Sequence, residues 1–294
     1  MTTLTVLSEN TARGRGVLGE HGLAYWLDTG THRVLFDTGQ GMALLPNASR
    51  LGIDLGRADA IVLSHGHYDH VSGLPDALRA APEATLWFHP AATQRKFIRG
   101  ADGRARRIST DFMERGDFGS NRVVRHVTVP EEIVPGVWAT GEVPRSNGFE
   151  DTGGPFFLDE MLEKPDPIAD DMALYLPDNG GLSVIFGCAH AGAVNTLAHI
   201  LGHTGPMPCD TLVGGLHLAA AEPERMDRTI AALRALSPRR MGFCHCTGVR
   251  AVHRMWREFP HACVEVHAGL RLALDGSDDD GPDPAGENPL HTAP

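Results

Sequence analysis

With 294 residues, 42% hydrophobic and 21% charged, the chain has an ordinary globular composition and enough length to bury a large core. A formal net charge of −11 excludes the basic footprint of a generic nucleic-acid binder, and no apolar run is long enough to cross a bilayer. Six acidic residues (Asp275, Asp278, Asp279, Asp280, Asp283 and Glu287) sit in a Gly/Pro-rich tail; without them the body carries about −5.

The N-terminus lacks the charged and apolar regions of a secretory signal. Five cysteines with no C-x-x-C spacing point to reduced thiols and a cytoplasmic setting. Lys96 and Lys164 are the only lysines, which reads as a coding bias in favour of Arg.

In chain order, apolar runs predict strands at 4–9, 24–28, 33–39 and 60–64, with a short helix over 43–52 ended by Gly52. A helix over 74–82, stopped by Pro82, and a strand at 85–89 follow. A second series has strands at 172–176, 182–190, 209–215, 239–245 and 262–269, with helices at 193–202, 222–236 and 247–259. Strand and helix alternate in both series, so the expectation is an α/β fold of two similar halves, with sheets face to face and helices outside. Residues 1–274 are read as a single domain, with 91–128 and 141–171 as inserted loops forming a cap near the site. Residues 275–294 are read as a disordered acidic tail.

SHGHYDH (64–70) follows a buried strand and places His65, His67, Asp69 and His70 on a strand-to-helix loop. Side chains at i and i+2 of an extended segment point the same way, so His65 and His67 can share one metal. Asp69 and His70 come after the chain turns and can face a second. Four donors are too many for one catalytic zinc, which takes three protein ligands and keeps a position open. Further donors stand at predicted strand ends: His190, His217 and His245.

VLSHGHYDHVSGL (62–74) resembles the signature of the metallo-β-lactamase superfamily. The stretches EHGLAYWLD (20–28), VLFDTGQ (34–40), TGEVPR (140–145), FGCAHAGAVNT (186–196), GGLHL (214–218) and CHCTG (244–248) together resemble the branch of dihydropterin–ribofuranosylaminobenzene phosphate synthase-like proteins. The resemblance covers about residues 4 to 271. It implies a four-layer αββα sandwich with a two-metal site at one edge of the sheets. Carried onto this chain, it implies His65, His67, Asp69, His70, His190 and His245 as metal ligands. The sequence departs from the commoner pattern: Gly187–Cys188 stands where a Gly–Asp pair would be, and Glu142 stands roughly where an intermediate His would be. Cys188, His217 and Glu142 therefore remain further ligand candidates, with His190 preferred over Cys188. Asp37 is expected to orient the ligand loop.

The expected cofactor is a pair of divalent cations, zinc first, with manganese or iron as alternatives. Such a pair lowers the pKa of a bridging water and stabilises developing negative charge, so Asp69 and the metals would supply a hydroxide and His217 a general acid. Arg145 and Glu142 are expected to bind substrate, Arg145 because guanidinium matches phosphate and carboxylate. The arginines of 95–107 read chiefly as a solvated flap over the site. The expected function is a metal-dependent hydrolase of a small ester, lactone or phosphodiester, with a phosphorylated or anionic small molecule as partner and no nucleic acid or membrane. A synthase joining a pterin methyl group to an aryl-amine ribose phosphate and a non-catalytic metal- or ligand-binding protein are the alternatives. Oligomeric state is not legible.

Overall fold

The computed structural model describes residues 1–178 and 181–274; the acidic tail lies outside the described residues. In chain order the elements are β1 (Thr3–Ser8), β2 (Ala24–Asp28), β3 (Arg33–Phe36), α1 (Leu44–Arg50), β4 (Ala60–Val62), α2 (Tyr68–Val71), α3 (Leu74–Ala80), β5 (Thr85–Phe88), β6 (Phe97–Arg99), β7 (Ala105–Arg107), α4 (Asp111–Arg115), β8 (Val124–His126), β9 (Glu131–Val134), β10 (Val137–Ala139), β11 (Phe156–Phe157), β12 (Ala173–Asp178), β13 (Gly181–Phe186), α5 (Ala193–Thr204), β14 (Cys209–Gly214), α6 (Pro223–Leu236), β15 (Arg240–Phe243), α7 (Val249–Glu258) and β16 (Arg271–Ala273).

Strand alternation builds the layers. Leu4, Val6, Tyr25, Leu27, Val34 and Phe36 point to one face of the first sheet, where they pack against Leu174, Ile185 and Val213 of the second. Their neighbours Leu7, Trp26, Leu35 and Ile61 point the other way, against Leu44, Leu74 and Leu78 of the outer helices. The second sheet repeats this, with Tyr175, Val184 and Leu212 against Leu197, Ile230, Leu233 and Met255. Both faces of each sheet are buried, which is why the strands read as nearly continuous apolar runs. The result is the expected αββα sandwich.

The first sheet has seven strands in the order β16-β1-β2-β3-β4-β5-β8, the second six in the order β15-β14-β13-β12-β10-β9. β3, β4, β5 and β8 run parallel, as do β13, β14 and β15. Their C-terminal ends meet at one edge of the sandwich, and His65, His67, Asp69, His70, His190, His217 and His245 lie on segments that follow β4, β13, β14 or β15.

Three expectations need correction. Residues 91–128 and 141–171 are more than loops: β6, β7 and β11 form a separate three-stranded sheet, and β8 completes the first sheet beside β5. Short strands alternating with Gly and Arg carry too weak a pattern to be read locally. The expected strand at 262–269 does not form. Met241 N bonds Ala262 O and Val264 N bonds Met241 O, whereas Ala268 N bonds Thr11 O and Gly269 N bonds Val6 O. This segment crosses from one sheet to the other and cannot pair along its length with either. The strand forms one step later, as β16 on β1.

Candidate metal centre

The ligand loop is set by close backbone packing. Gly66 separates His65 from His67, and a Cβ there would lie 2.2 Å from the Ala92 carbonyl oxygen. Thr38 N and its hydroxyl both donate to His70 O. Four non-glycine residues at the surrounding turns take left-handed backbone: Asp37 (φ 61°), Ala189 (52°), His217 (47°) and His245 (51°). Such strain, concentrated where the strands deliver their side chains, marks a constrained site.

The donors form two clusters joined by one thiol. In the first, the donor atoms of His65, His67 and His190 lie within 4.8 Å of one another; in the second, those of Asp69, His70 and His245 do so. The Cys188 thiol groups with His65 and His70, with His190 and His217, and with His245 and Cys246, so it stands between the two. Individual separations are 2.9 Å from His65 Nε2 to His67 Nδ1, 3.2 Å from Cys188 Sγ to His70 Nε2 and 3.4 Å from His245 Nε2 to Asp69 Oδ2. Tetrahedral zinc with Zn–N near 2.0–2.1 Å places its ligand atoms about 3.3 Å apart, so these spacings fit.

Outer partners fix which ring nitrogen faces inward. His190 Nδ1 lies 2.8 Å from Thr152 O, His245 Nδ1 3.0 Å from Asn10 Oδ1, and His65 Nδ1 2.9 Å from Ser64 Oγ. His70 Nδ1 lies 2.7 Å from Asp37 Oδ2, and Asp37 also accepts from the Ser64 amide and hydroxyl, the contacts an orienting residue would make. The buried Nε2 atoms of His67 and His190 have no hydrogen-bond partner among the described residues, and that of His245 has the Asp69 carboxylate at 3.4 Å. Orphaned, buried, inward-facing imidazole nitrogens are costly unless something binds them, and divalent cations fit this donor set.

The electrostatics divide the rings: His65, His67 and His190 are pushed toward the neutral form, whereas His70 and His217 are shifted up, beside an ionised Asp69. Burial drives His65 and His190 well below the ordinary imidazole range, reinforced by the neighbouring histidines. Burial and Lys96 bring His67 down to about 3. Burial opposes ionisation of Asp69, but His70 and His245 outweigh it and hold its carboxyl low. Burial would lower His70 as well, yet Asp37 and Asp69 prevail and raise it to about 9. Burial and the neighbouring Cys246 push the Cys188 thiol well up. Burial would do the same to Cys246, but Cys188 and His217 outweigh it and bring that thiol down. The His217 imidazole rises, because Cys246 outweighs the effect of burial.

A cavity of about 630 Å³ opens onto the clusters. Its floor includes His67, Asp69, Cys188, His190, His217, His245 and Cys246, and its walls include Tyr68, Ile98, Ile108 and Phe156. Phe156 stands 5.2 Å, ring to ring, from both His67 and His190.

Of the sequence-predicted residues, His65, His67, Asp69, His70, His190, His217 and His245 converge here. Glu142 and Arg145 do not line the cavity. Gly141 (φ 63°) packs its turn against the backbone of Thr128 and Val129, which leaves Glu142 exposed, and Arg145 Nη2 donates to Pro167 O. The arginines that do border the cavity are Arg106 and Arg107, from the segment read as a flap. Arg107 is paired with Asp111 and Glu114, whereas Arg106 has, among the described residues, one ion pair, with Asp102 at 3.7 Å. Sequence reading also passed over His21, whose Nε2 is 3.4 Å from Asp69, and Glu9, whose carboxylate accepts the His245 amide. Cys246 was passed over too; its place next to His245 and the polar Ser8–Glu9–Asn10 run at the end of a buried strand were the available signals.

The family model of the metallo-beta-lactamase superfamily matches residues 18–184. The chain belongs to the metallo-beta-lactamase superfamily. A relative from Methanocaldococcus jannaschii, a 7,8-dihydropterin-6-methyl-4-(beta-D-ribofuranosyl)-aminobenzene-5'-phosphate synthase, is 28% identical over 266 residues, 85% of this chain and 88% of the relative. The crystal structure of a metal-dependent hydrolase of the beta-lactamase superfamily superposes with a TM-score of 0.80 at 29% identity, over 93% of this chain and 99% of that one. Zinc-bound PqqB from Methylobacterium extorquens, at 16% identity, shares the fold with a TM-score of 0.56, over 92% of this chain and all of its own. Metallo-beta-lactamase superfamily members are typically enzymes. No helix among the described residues is long and apolar enough to cross a membrane.

Proposed function

We propose that this protein is a metal-dependent hydrolase of a small, anionic ester, lactone or phosphodiester, working with two divalent cations. The observation that carries the reading is the pair of donor clusters flanking Cys188 at the floor of the 630 Å³ cavity. His65, His67 and His190 would hold one cation and Asp69, His70 and His245 the other, with Cys188 between them; a thiol in the set favours zinc over manganese or iron. When bound, the cations supply Lewis acidity and neutralise charge developing on the reacting oxygens.

The protein's own groups do the rest. Asp69 stays ionised beside His70 and His245. His217 lines the cavity, its imidazole shifted up by Cys246, and can pass a proton to a leaving group. Tyr68, Ile108 and Phe156 flank the bound molecule and exclude water, while Arg106 at the wall attracts its anionic end. The cavity suits a small molecule rather than a nucleic acid, and five free cysteines suit a reducing, cytoplasmic setting.

One observation favours a second reading, a synthase: the 28% identity that extends over most of both chains with the Methanocaldococcus jannaschii synthase. The two readings part in one assay. Zinc-loaded protein is offered phosphodiesters, lactones and carboxylic esters, and separately a ribofuranosylaminobenzene phosphate with a dihydropterin that carries a leaving group on its 6-methyl carbon. Hydrolysis that depends on His67 and Asp69 supports the first reading. Condensation without hydrolysis replaces it with the second. Neither, with metal bound, leaves a metal- or ligand-binding protein.

A further inference from the structure

Lys96, one of two lysines in the chain, is fully buried, with Nζ 2.9 Å from Asp166 Oδ2 and 2.7 Å from Asp170 Oδ1. The other Asp170 oxygen accepts the Gly66 amide at 2.7 Å, and Gly66 is the residue between His65 and His67. One carboxylate therefore joins a buried ammonium to the backbone of the ligand loop. Lys96 also lies next to β6: its carbonyl accepts Ile108 N, its amide donates to Ser109 Oγ, and Ile108 O accepts Tyr68 N. Ile98, Arg106, Arg107 and Ile108 of that same hairpin line the cavity.

A composition biased toward Arg makes a retained lysine noticeable, and the burial supplies a reason. A buried charge is tolerated only when paired and hydrogen-bonded. The triad of Lys96, Asp166 and Asp170 is paired and carries a net charge of about −1, so it does not repel a cation nearby. The planar, longer guanidinium of Arg presents a fork of donors rather than a point charge and does not fit between the same two oxygens without moving them.

We infer that Lys96 and Asp170 are positioning residues, setting the His65–Gly66–His67 loop against the β6–β7 wall of the cavity so that the two imidazoles reach one cation together. Without Lys96, two buried carboxylates face each other with no counter-charge, and Asp170 moves, taking the Gly66 amide with it. The inference rests on the metal-binding reading of the centre.

The test is zinc titration of the full chain in competition with a chromogenic chelator, with Lys96→Met, Lys96→Arg and Asp170→Asn alongside wild type. The expected result is that zinc affinity at one of the two sites falls about 10- to 100-fold, the usual effect of losing a group that orients ligands. Adding Asp170→Asn to His190→Ala, which already lacks the first cluster, should leave the remaining affinity unchanged within about twofold. Failure of wild type to take up zinc would overturn the metal reading and this inference with it. If wild type binds two zinc ions and the folded variants bind them equally well, or lose both equally, the inference alone falls. It falls too if all three variants fail to fold, since the triad would then hold the fold and not the loop.

Discussion

Asp37 Oδ2 lies 2.7 Å from His70 Nδ1, and both side chains are completely buried. Asp37 directly follows β3 and His70 lies in α2, beyond β4, so this contact ties the end of one strand to the helix that carries part of the ligand loop. In the metal-free protein it should also make stability depend on pH. The folded-state pKa of His70 is raised to about 9 from an ordinary 6.5. A raised folded pKa contributes stability that is fully present below about pH 6.5 and is lost as pH rises through 9. Urea unfolding of chelator-treated wild type and Asp37→Asn should therefore show the largest gap near pH 6, with a ceiling of roughly 3 kcal/mol, and a small gap at pH 9.5. A gap that widens with pH would contradict the pairing.

Much of this architecture was legible because both faces of each sheet are buried: runs such as Ala24–Asp28 and Leu182–Phe186 declare themselves by apolar content alone. The HxHxDH loop was legible because its donors are adjacent in sequence. What was hidden came from partnerships across long separations. Asn10 meets His245 across 235 positions and Gly66 meets Asp170 across 104, and no local pattern announces either. The place of Arg145 at the end of TGEVPR favours it over Arg106, yet the direction a loop takes depends on packing such as that of Gly141 on Val129.

Arg106→Ala should raise KM for an anionic substrate by roughly fivefold to tenfold, about 1 kcal/mol for an exposed charge-assisted contact, with kcat little changed. Arg145→Ala should leave KM within about twofold, because Arg145 does not line the cavity. Steady-state kinetics on the identified substrate decide it; the reverse ordering would restore Arg145 as the anchor.

Gly66→Ala should reduce both stability and metal content. Its methyl group would lie 2.2 Å from the Ala92 carbonyl oxygen, so the backbone must move, at a cost of about 1–3 kcal/mol for overpacking. The movement displaces His65 and His67 together. Thermal unfolding and elemental analysis check this, and a Gly66→Ala variant with wild-type metal content would show that the loop tolerates the shift.

Cys188 and His190 leave the same strand two residues apart, and both arrive at the centre. His190 Nε2 is buried and unpaired, with its other nitrogen held by Thr152 O, so it is poised as a ligand of the His65/His67 cluster. Cys188 Sγ is 3.2 Å from His70 Nε2 and groups with donors of both clusters, the place a shared ligand would take. Burial and Cys246 raise the thiol's pKa in the metal-free protein, but a coordinated thiol is deprotonated by the metal itself. Two separable losses are therefore expected. His190→Ala should lower the zinc content from about two toward one per chain. Cys188→Ser should retain more zinc than His190→Ala while abolishing a metal–sulfur shell near 2.3 Å in X-ray absorption. A wild-type spectrum fitted by nitrogen and oxygen alone would remove Cys188 from the ligand set and leave His190 as the contribution of this strand.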